Sequence, residues 1–437
     1  MEQYYHSVTL DKDKCMGCTN CIKRCPTEAI RVRDGKAVII KERCIDCGEC
    51  ILVCPYHAKT AVTDPLSAIN NYRYKIALPA PSLYGQFKNI DDIDKVLSAL
   101  IELGFDDVYE VARAAEYVSY LVRETLKKPG CKKPLISSAC PAVVRLIQVR
   151  FPELIGNIVR IASPMEIGAQ LARDRFCRDH GVSPDEVGVF FITPCAAKMT
   201  SIRNPIGNEK SYVNGAISML EIYRHILERA DKGEAKKLQR AGSSGVRWAI
   251  TNGESRSLGV ENYLAVDGIH NVISVLEEIE NNKLADLDYF EGLNCVGGCV
   301  GGPLTFENSY VANSRIRRLV KGIESKALDE AEAEYVKSNT RWKLEKNIME
   351  KTVLKLDTDI EAAIKKMKEL EVINASLPGL DCGSCGSPSC RALAEDIVRG
   401  DASELDCIFK LREKVKKLAR EMIELSEKQI HTRKEPD

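Results

Sequence analysis

The chain has 437 residues, a length that corresponds to about three domains. Hydrophobic residues make up 44% and charged residues 29%, which excludes a wholly disordered or fibrous chain. The 63 basic and 63 acidic residues balance, so net charge gives no reason to expect a nucleic-acid or membrane partner. The first residues lack the apolar segment of a signal peptide, and no uncharged apolar run approaches the about 18 residues of a membrane span. We therefore expect a soluble, cytoplasmic protein.

Eighteen cysteines are the most informative feature of the composition. Their share of the chain lies below the roughly 8 to 10% that is typical of disulfide scaffolds. In a reducing compartment, thiols in this number indicate bound metal.

The first eight cysteines form two runs with the same spacing, C-x2-C-x2-C-x3-C-P. This spacing is typical of two 4Fe-4S clusters in which the fourth cysteine of each run binds the other cluster. Zinc is the alternative, although zinc sites seldom use three cysteines at two-residue gaps followed by C-P. The segment resembles two-cluster bacterial ferredoxins, and we expect an α+β ferredoxin-like domain at residues 1–65. The expected ligands are Cys15, Cys18, Cys21 and Cys54 for cluster one, and Cys44, Cys47, Cys50 and Cys25 for cluster two.

Next along the chain, short apolar runs alternate with amphipathic segments. Strands are predicted near residues 74–80, 262–268 and 288–294, and the apolar stripe within residues 93–101 predicts a helix that covers a sheet. Strands that alternate with helices indicate an α/β core. Cys140 and Cys195 each follow an apolar run and precede a helix-like segment, so we expect both at the carboxyl ends of buried strands, where open parallel sheets keep their active sites.

Glycines surround the next pair of thiols, Cys295 and Cys299. Around such glycines no side chain obstructs a bulky inorganic group, and backbone N–H groups can stabilise its negative charge. Lys198, three residues after Cys195, is predicted to project toward the same site from the start of a helix. The alternative for a lysine in a first helical turn is a solvated side chain.

The segments around Cys140, Cys195 and Cys295 to Cys299 resemble the three cluster-binding motifs of the FeFe hydrogenases, in order and spacing, over about residues 70 to 315. The resemblance implies a two-lobed α/β domain with mainly parallel sheets at residues 70–345 and the reaction H2 ⇌ 2H+ + 2e−. It also implies an H-cluster. The H-cluster would consist of a 4Fe-4S cube and a two-iron unit that carries CO, cyanide and azadithiolate. Cys140, Cys195, Cys295 and Cys299 would hold the cube, and Cys299 would also bridge it to the two-iron unit.

The same resemblance implies roles for residues around this group. Lys198 would donate a hydrogen bond to one cyanide, and Gly298 would lie against the cluster. Ser163 falls where the family has a serine in its proton path. The segment that would enclose the dithiolate and the other cyanide is Ala80, Pro81 and Ser82.

Several residues depart from the pattern of the high-turnover hydrogenases. Ala139 stands where those enzymes carry a second cysteine that relays protons, and a methyl group cannot relay a proton. Thr193 and Leu293 stand where methionines flank the two-iron unit. Glu116 aligns with one relay glutamate, whereas Arg113 stands where another belongs. These changes resemble the sensory branches of the family, nearest the group D proteins without a PAS domain, and we expect slow hydrogen turnover.

Four further cysteines lie near the C-terminus in the spacing C-x2-C-x4-C-x16-C. The segment resembles four-cysteine iron-sulfur modules of electron-transport subunits, and we expect a small helical module at residues 350–410 with a third accessory 4Fe-4S cluster. Zinc is again the alternative. Gly383 and Gly386 would let the backbone turn tightly around the metal. The expected ligands are Cys382, Cys385, Cys390 and Cys407; Cys131 and Cys177 receive no function.

The last segment, residues 411–437, is predicted to form an amphipathic helix. Its a/d stripe fits either packing onto its own module or a coiled-coil homodimer. The expected partners are H2 and protons, a redox or signalling protein, and maturation proteins. The competing function is a non-enzymatic iron-sulfur scaffold or electron carrier of hydrogenase ancestry that lacks the two-iron unit.

Overall fold

The structure, a computed structural model, describes residues 5–230 and 235–431, without the side chains of 428–431. Its strands are β1 Val8–Leu10, β2 Ile30–Arg33, β3 Lys36–Ile39, β4 Lys59–Ala61, β5 Tyr74–Pro79, β6 Asp107–Val108, β7 Leu135–Ile136, β8 Val187–Thr193, β9 Gly215–Ser218, β10 Tyr263–Asp267 and β11 Tyr289–Leu293. Its α-helices are α1 Asn20–Arg24, α2 Glu49–Leu52, α3 Ile93–Glu102, α4 Val111–Leu126, α5 Pro141–Arg150, α6 Pro164–His180, α7 Ala196–Arg203, α8 Met219–Ala230, α9 Ser243–Arg247, α10 Gly253–Leu258, α11 Ile269–Glu280, α12 Ser309–Lys321, α13 Glu330–Ser338, α14 Ile360–Ser376, α15 Cys390–Arg399 and α16 Ile408–His431. Short 3-10 helices lie at Lys41–Arg43, Leu66–Asn71, Pro81–Gln86, Pro152–Asn157, Pro184–Glu186, Cys299–Gly301, Thr340–Trp342 and Glu404–Asp406.

The chain divides into two compact units, and the first comprises residues 1–9, 44–52 and 59–351, where described. It contains a four-stranded sheet in the order β6-β5-β8-β9 and a three-stranded sheet in the order β10-β11-β7. All pairings within these two sheets are parallel. The predicted α/β core with parallel sheets is therefore confirmed, and the three predicted strands are β5, β10 and β11.

The sequence of the strands explains why these two sheets lie in the interior of the first unit. All seven residues of β8, the run VGVFFIT, are buried, as expected of a parallel strand covered by helices on both faces. The predicted helix near residues 93–101 is α3, whose apolar stripe from Ile93 to Leu100 is buried and whose N-cap Asp92 accepts a hydrogen bond from the Asp94 N–H. Such capping satisfies one of the free backbone donors of a first helical turn.

The carboxyl ends of four strands bring distant segments of the first unit together. Ala80 follows β5, Cys140 follows β7, and Cys195 follows β8. Cys295 follows β11. Because β5 and β8 pair in parallel up to Pro79 and Ile192, the segments after them leave the same edge of the sheet, which is where α/β folds place ligands.

The second unit comprises residues 10–43 and 53–58 together with the described part of 352–437. Strands β2 and β3 form an antiparallel hairpin, and α14 and α15 enclose a small core that includes Leu370, Leu393 and Cys407. Arg31 forms a two-pronged ion pair with Asp396, with Nε to Oδ2 at 2.6 Å and Nη2 to Oδ1 at 2.9 Å. The C-terminal cysteine module thus belongs to one unit with the first cysteine run. The predicted boundaries at residues 65, 345 and 410 stay predictions.

Helix α16 leaves its apolar stripe exposed. The stripe does not pack onto the helix's own module: Leu411, Val415 and Met422 are 45%, 56% and 71% exposed. The predicted segment 411–437 is helical as far as His431, and residues 432–437, like 1–4 and 231–234, lie outside the described residues. Within the described ranges, no helix is both long and apolar enough to cross a membrane.

Candidate metal centre

The four central cysteines, which the sequence places in three distant segments, line one cavity of about 90 Å³ in the first unit. Cys140 and Cys195 stand at the N-caps of α5 and α7. Cys295 is buried. Cys299 keeps accessible surface although protein surrounds it, because that surface faces the cavity.

Burial makes three of these thiols, those of Cys195, Cys295 and Cys299, hard to ionise. It raises the pKa of Cys195 to about 11 and that of Cys299 to about 12, and the neighbouring cysteines add repulsion in both cases. The pKa of Cys295 is raised for the same two reasons. A bound metal ion reverses this balance, since its charge stabilises coordinating thiolates. The chemistry of the donor set therefore fits an iron-sulfur group.

At two positions of the cavity wall, the surrounding backbone leaves no room for a side chain, so only glycine fits there. Gly298 has φ of +96°, and a Cβ there would lie 2.7 Å from the Thr251 nitrogen. A Cβ on Gly302 would lie 2.3 Å from the Pro194 carbonyl oxygen. Gly298 and Gly302 both line the cavity, so the close approach of two backbones creates the wall of the site.

The cavity extends past the cysteines to the segment after β5. Ala80 and Pro81 line it, and so does Lys198. Within the described chain no hydrogen-bond partner is found for the Lys198 ammonium. The Ser82 hydroxyl does not line the cavity, but it is fully buried and also lacks a partner among the described residues. Buried polar groups normally have partners, so the Ser82 hydroxyl fits a missing polar ligand. Lys198 is half-buried, and its ammonium adds a positive charge to the cavity wall.

The structure also locates Thr193 and Ser163. The Thr193 hydroxyl accepts a hydrogen bond from the Cys195 N–H and donates one to the Cys195 carbonyl, both at 3.0 Å, so this side chain holds the cysteine loop and does not contact the cavity. Ser163 lines a separate cavity of about 60 Å³, which also reaches Glu166 and Lys198. Lys198 is thus shared by the two cavities.

Ala139 lines the main cavity, but the two residues predicted around a relay do not. Arg113 pairs with Glu116 at 2.7 Å and also contacts Glu332. Glu116 further accepts hydrogen bonds from the Gly242 N–H and the Ser244 hydroxyl, both at 2.9 Å. These contacts hold the Glu116 carboxylate in a structural role.

Two acidic residues that the sequence reasoning missed do line the cavity, namely Glu254 and Glu291. Burial, with repulsion from Glu291 as the second cause, raises the pKa of Glu254 to about 8. Glu254 accepts hydrogen bonds from the Tyr289 hydroxyl and from the Ser137 hydroxyl, the latter at 2.7 Å. The Ser137 oxygen in turn accepts from the Ala139 N–H at 3.2 Å. The sequence does contain one sign of this pair, because Glu291 is a carboxylate in the otherwise apolar strand YFEGL.

The accessory cysteines show the backbone environment of cluster ligands. The Ala29 N–H donates to the Cys25 sulfur at 3.2 Å, and the Ala58 N–H donates to the Cys54 sulfur at 3.3 Å. The same contact therefore recurs in both cysteine runs. Hydrogen bonds to sulfur are typical of iron-sulfur sites, where they tune the potential.

One side chain links the second cysteine run to the central site within the first unit. The Asn294 amide donates to the Cys47 carbonyl at 2.8 Å and to the Cys295 sulfur at 3.2 Å. In the second unit, Gly383 and Gly386 adopt φ values of +78° and +79°, so the C-terminal cysteine loop turns as its glycines predicted.

Comparison with known families matches three parts of the chain. The model described as iron only hydrogenase large subunit, C-terminal domain, matches residues 73–230 and 218–303. A 4Fe-4S dicluster domain matches residues 7–55, and an Fe-S cluster family matches residues 377–409.

Individual relatives are of two kinds. The periplasmic Fe hydrogenase large subunit of Nitratidesulfovibrio vulgaris is 31% identical over 212 residues, which are 44% of this chain and 50% of that protein. Iron hydrogenase 1 of Clostridium pasteurianum is 24% identical over 370 residues, which are 68% of this chain and 64% of that protein. A relative named as a probable cytosolic Fe-S cluster assembly factor from Caenorhabditis elegans is 23% identical over 315 residues, 60% of this chain and 69% of that protein.

The chain thus spans between half and two thirds of the two hydrogenases. Among solved structures, an FeFe hydrogenase from Chlamydomonas reinhardtii aligns with a TM-score of 0.47 at 13% identity, covering 66% of this chain and 94% of the other.

Proposed function

The chain belongs to the iron-only hydrogenase large-subunit family, and from this premise we propose that it is a slow FeFe hydrogenase that interconverts H2 with protons and electrons. Its iron-sulfur clusters would carry the electrons, and its rate suits sensing better than bulk turnover. The proposal rests above all on one observation. The four cysteines share their cavity with Ala80, Pro81 and Lys198.

That shared cavity favours a group larger than a cube. A 4Fe-4S cube needs only the four thiolates, so a site built for it alone has no use for space beside Cys299 or for a free ammonium. A two-iron unit attached at Cys299 would supply heterolytic cleavage of H2. Apolar side chains such as Phe191 and Met165 line the same space and exclude water from it, which strengthens every electrostatic contact inside.

Two donors of this chain are suited to anionic ligands on such a unit. Lys198 lines the cavity and would donate from the start of α7, whereas the Ser82 hydroxyl, on the 3-10 helix after β5 and next to the cavity-lining Pro81, would have to turn toward the cavity to donate. Both belong to segments that leave the ends of strands β8 and β5. The rigid support of Lys198 keeps this donor in place without reorganisation during the reaction, which is how preorganised dipoles assist catalysis.

Proton movement would rely on Glu254. Ala139 offers no exchangeable proton, whereas Glu254 lines the cavity and its pKa of about 8 lets it both hold and release a proton near neutral pH. The neighbouring carboxylate of Glu291 accepts hydrogen bonds from the Ser255 N–H and hydroxyl, both at 2.7 Å. We assign Glu254 as the proton-holding group that substitutes for the absent thiol.

Electron transfer would use three accessory 4Fe-4S clusters, on Cys15, Cys18, Cys21 and Cys54, on Cys44, Cys47, Cys50 and Cys25, and on Cys382, Cys385, Cys390 and Cys407. Asn294 supports the step between the second cysteine run and the central site, because its amide contacts Cys47 and Cys295. The electron acceptor would be a redox or signalling protein. Loading of the two-iron unit would need maturation proteins.

A second candidate is an iron-sulfur assembly factor or scaffold without the two-iron unit. One relative carries the name of a probable cytosolic Fe-S cluster assembly factor, and Ala139 removes a residue on which fast turnover depends. This candidate leaves the space beside Lys198 without a purpose.

Infrared spectroscopy of the matured protein separates the two candidates. Metal-bound CO and cyanide absorb where polypeptide does not, so bands there with slow H2 uptake and evolution would support the hydrogenase. Repeating the maturation with Lys198→Ala as the comparison should weaken or shift the bands. Protein that holds four cubes and shows no such bands after maturation would favour the scaffold.

A further inference from the structure

A third cavity of the first unit lies apart from the metal centre and is surrounded by positive charge. Its volume is about 280 Å³, and its lining combines the end of α9, the turn into α10 and the last turns of α12. None of its lining residues is acidic. The basic side chains that line it are Arg247, Arg256, Arg317 and Lys321.

Three of these four cations, Arg256, Arg317 and Lys321, are exposed, and Arg247 is half-buried. Elsewhere in the first unit exposed arginines form ion pairs, for example Arg318 with Asp91 at 3.1 Å. Within the described ranges, no ion pair or side-chain hydrogen bond is found for any of the four. Like charges held around one concave space repel each other, and an anion would relieve that repulsion.

The chemistry of the lining favours phosphoryl groups. Guanidinium groups present paired donors that match phosphate oxygens, and an ammonium adds a point charge. The cavity is concave and of limited volume, which fits a small molecule better than the flat surface of an acidic protein.

The segment that lines this cavity also supports the metal centre. The Thr251 N–H donates to the Gly297 carbonyl at 3.3 Å, and the Val300 N–H donates to the Ala249 carbonyl at 3.2 Å. The Asn252 N–H donates to Glu291 at 2.9 Å. A ligand that restricts the motion of residues 247–252 would therefore affect the loop that carries Cys299 and the carboxylate pair of Glu254 and Glu291.

We propose that this basic cavity is an effector site that binds a small anion with phosphoryl groups, and that occupancy is coupled to the central cysteine loop through residues 249–252. Binding needs only the folded chain, whereas the coupling rests on the proposed function. Reciprocity requires that the state of the metal centre alters affinity for the anion by the same factor as the anion alters the centre.

Calorimetric titration of the full-length, cluster-containing protein with inorganic pyrophosphate tests the site. We expect saturable one-to-one binding that Arg247→Gln or Arg317→Gln weakens about 10-fold to 100-fold, the range for losing a hydrogen bond to a charged group. Arg318→Gln is the matched control, since it removes the same charge from the same helix outside the cavity. Absence of binding, equal weakening by the control, or binding of citrate or polyglutamate but not of pyrophosphate would each overturn the assignment.

The infrared spectrum of matured protein tests the coupling. Pyrophosphate should shift the CO and cyanide bands of the parent, and the same shift in Arg317→Gln should need about 10-fold to 100-fold more pyrophosphate, the loss of affinity expected above. Bands that do not move in the parent would refute the coupling. If maturation yields no bands, the low-temperature electron paramagnetic resonance spectrum of the reduced central cube is the readout, with the same two outcomes. Failure of the proposed function is thereby distinguished from failure of this inference.

Discussion

Substitution of Glu254 by glutamine tests the proton assignment and the electrostatics of the cavity together. Glutamine keeps the shape of the side chain and an acceptor for the Tyr289 hydroxyl, but it cannot release a proton at neutral pH. Turnover should fall by about 100-fold or more, the range for loss of a positioned acid or base. H2 evolution with a chemical reductant and H2 uptake with a dye, on matured protein with unchanged infrared band intensity, measure this loss.

The same variant has a predicted pH signature in stability. The pKa of Glu254 rises from an ordinary 4.5 to about 8 in the folded protein, so folding favours the protonated form. That contribution to stability is complete below pH 4.5 and is lost as pH rises toward about 8.

Glu254→Gln removes this titration. Urea denaturation under anaerobic conditions should therefore show the variant gaining stability relative to the parent between pH 4.5 and 8. Glu110→Gln is the matched control, because Glu110 is buried, has a raised pKa and lies outside the cavity; its turnover should stay at the parental rate. Turnover of Glu254→Gln within twofold of the parent, or a stability difference that does not change with pH, would refute the reasoning.

Three further predictions concern other parts of the chain. Ala139→Cys alone should raise turnover less than about tenfold, because Glu116 is held by Arg113, Gly242 and Ser244; a rate near that of fast hydrogenases would show another intact route. Asp396→Ala leaves Arg31 buried without its partner and should cost about 3 to 5 kcal/mol of stability, measured by thermal unfolding, with loss of one cluster signal in electron paramagnetic resonance; Asp401→Ala, on the surface of the same unit, serves as control. Deletion of residues 411–437 tests the homodimer that we expect from the exposed a/d stripe of α16; the full chain should show the mass of a dimer in light scattering and the shortened chain that of a monomer, and an unchanged mass would contradict this.

The accessory iron-sulfur segments could be predicted because their cysteines recur at short spacings, and the family matches at residues 7–55 and 377–409 agree with this. The placement of Cys140 and Cys195 after the carboxyl ends of two parallel strands was also predictable, since apolar runs that alternate with helices define such strands. Glu254 could not be found in this way. It lies on the six-residue helix α10, and its hydrogen-bond donors Tyr289 and Ser137 are 35 and 117 positions away.

The basic cavity was hidden for the same reason. Its cations come from residues 247–256 and 317–321. In the sequence of each segment, the basic residues look like those of an ordinary solvent-exposed helix face. Only the fold shows that these faces meet around one space.

The ion pair of Arg31 with Asp396 has a consequence for the order of events during synthesis. The two residues are 365 positions apart, and Arg33 also contacts Asp396, at 2.9 Å. The ribosome therefore releases the first cysteine run long before the segment that completes its unit exists. Until Asp396 emerges, two arginines of the β2–β3 hairpin lack their counter-charge. We expect a nascent chain halted after residue 351 to expose this hairpin to proteases, and the finished chain to protect it.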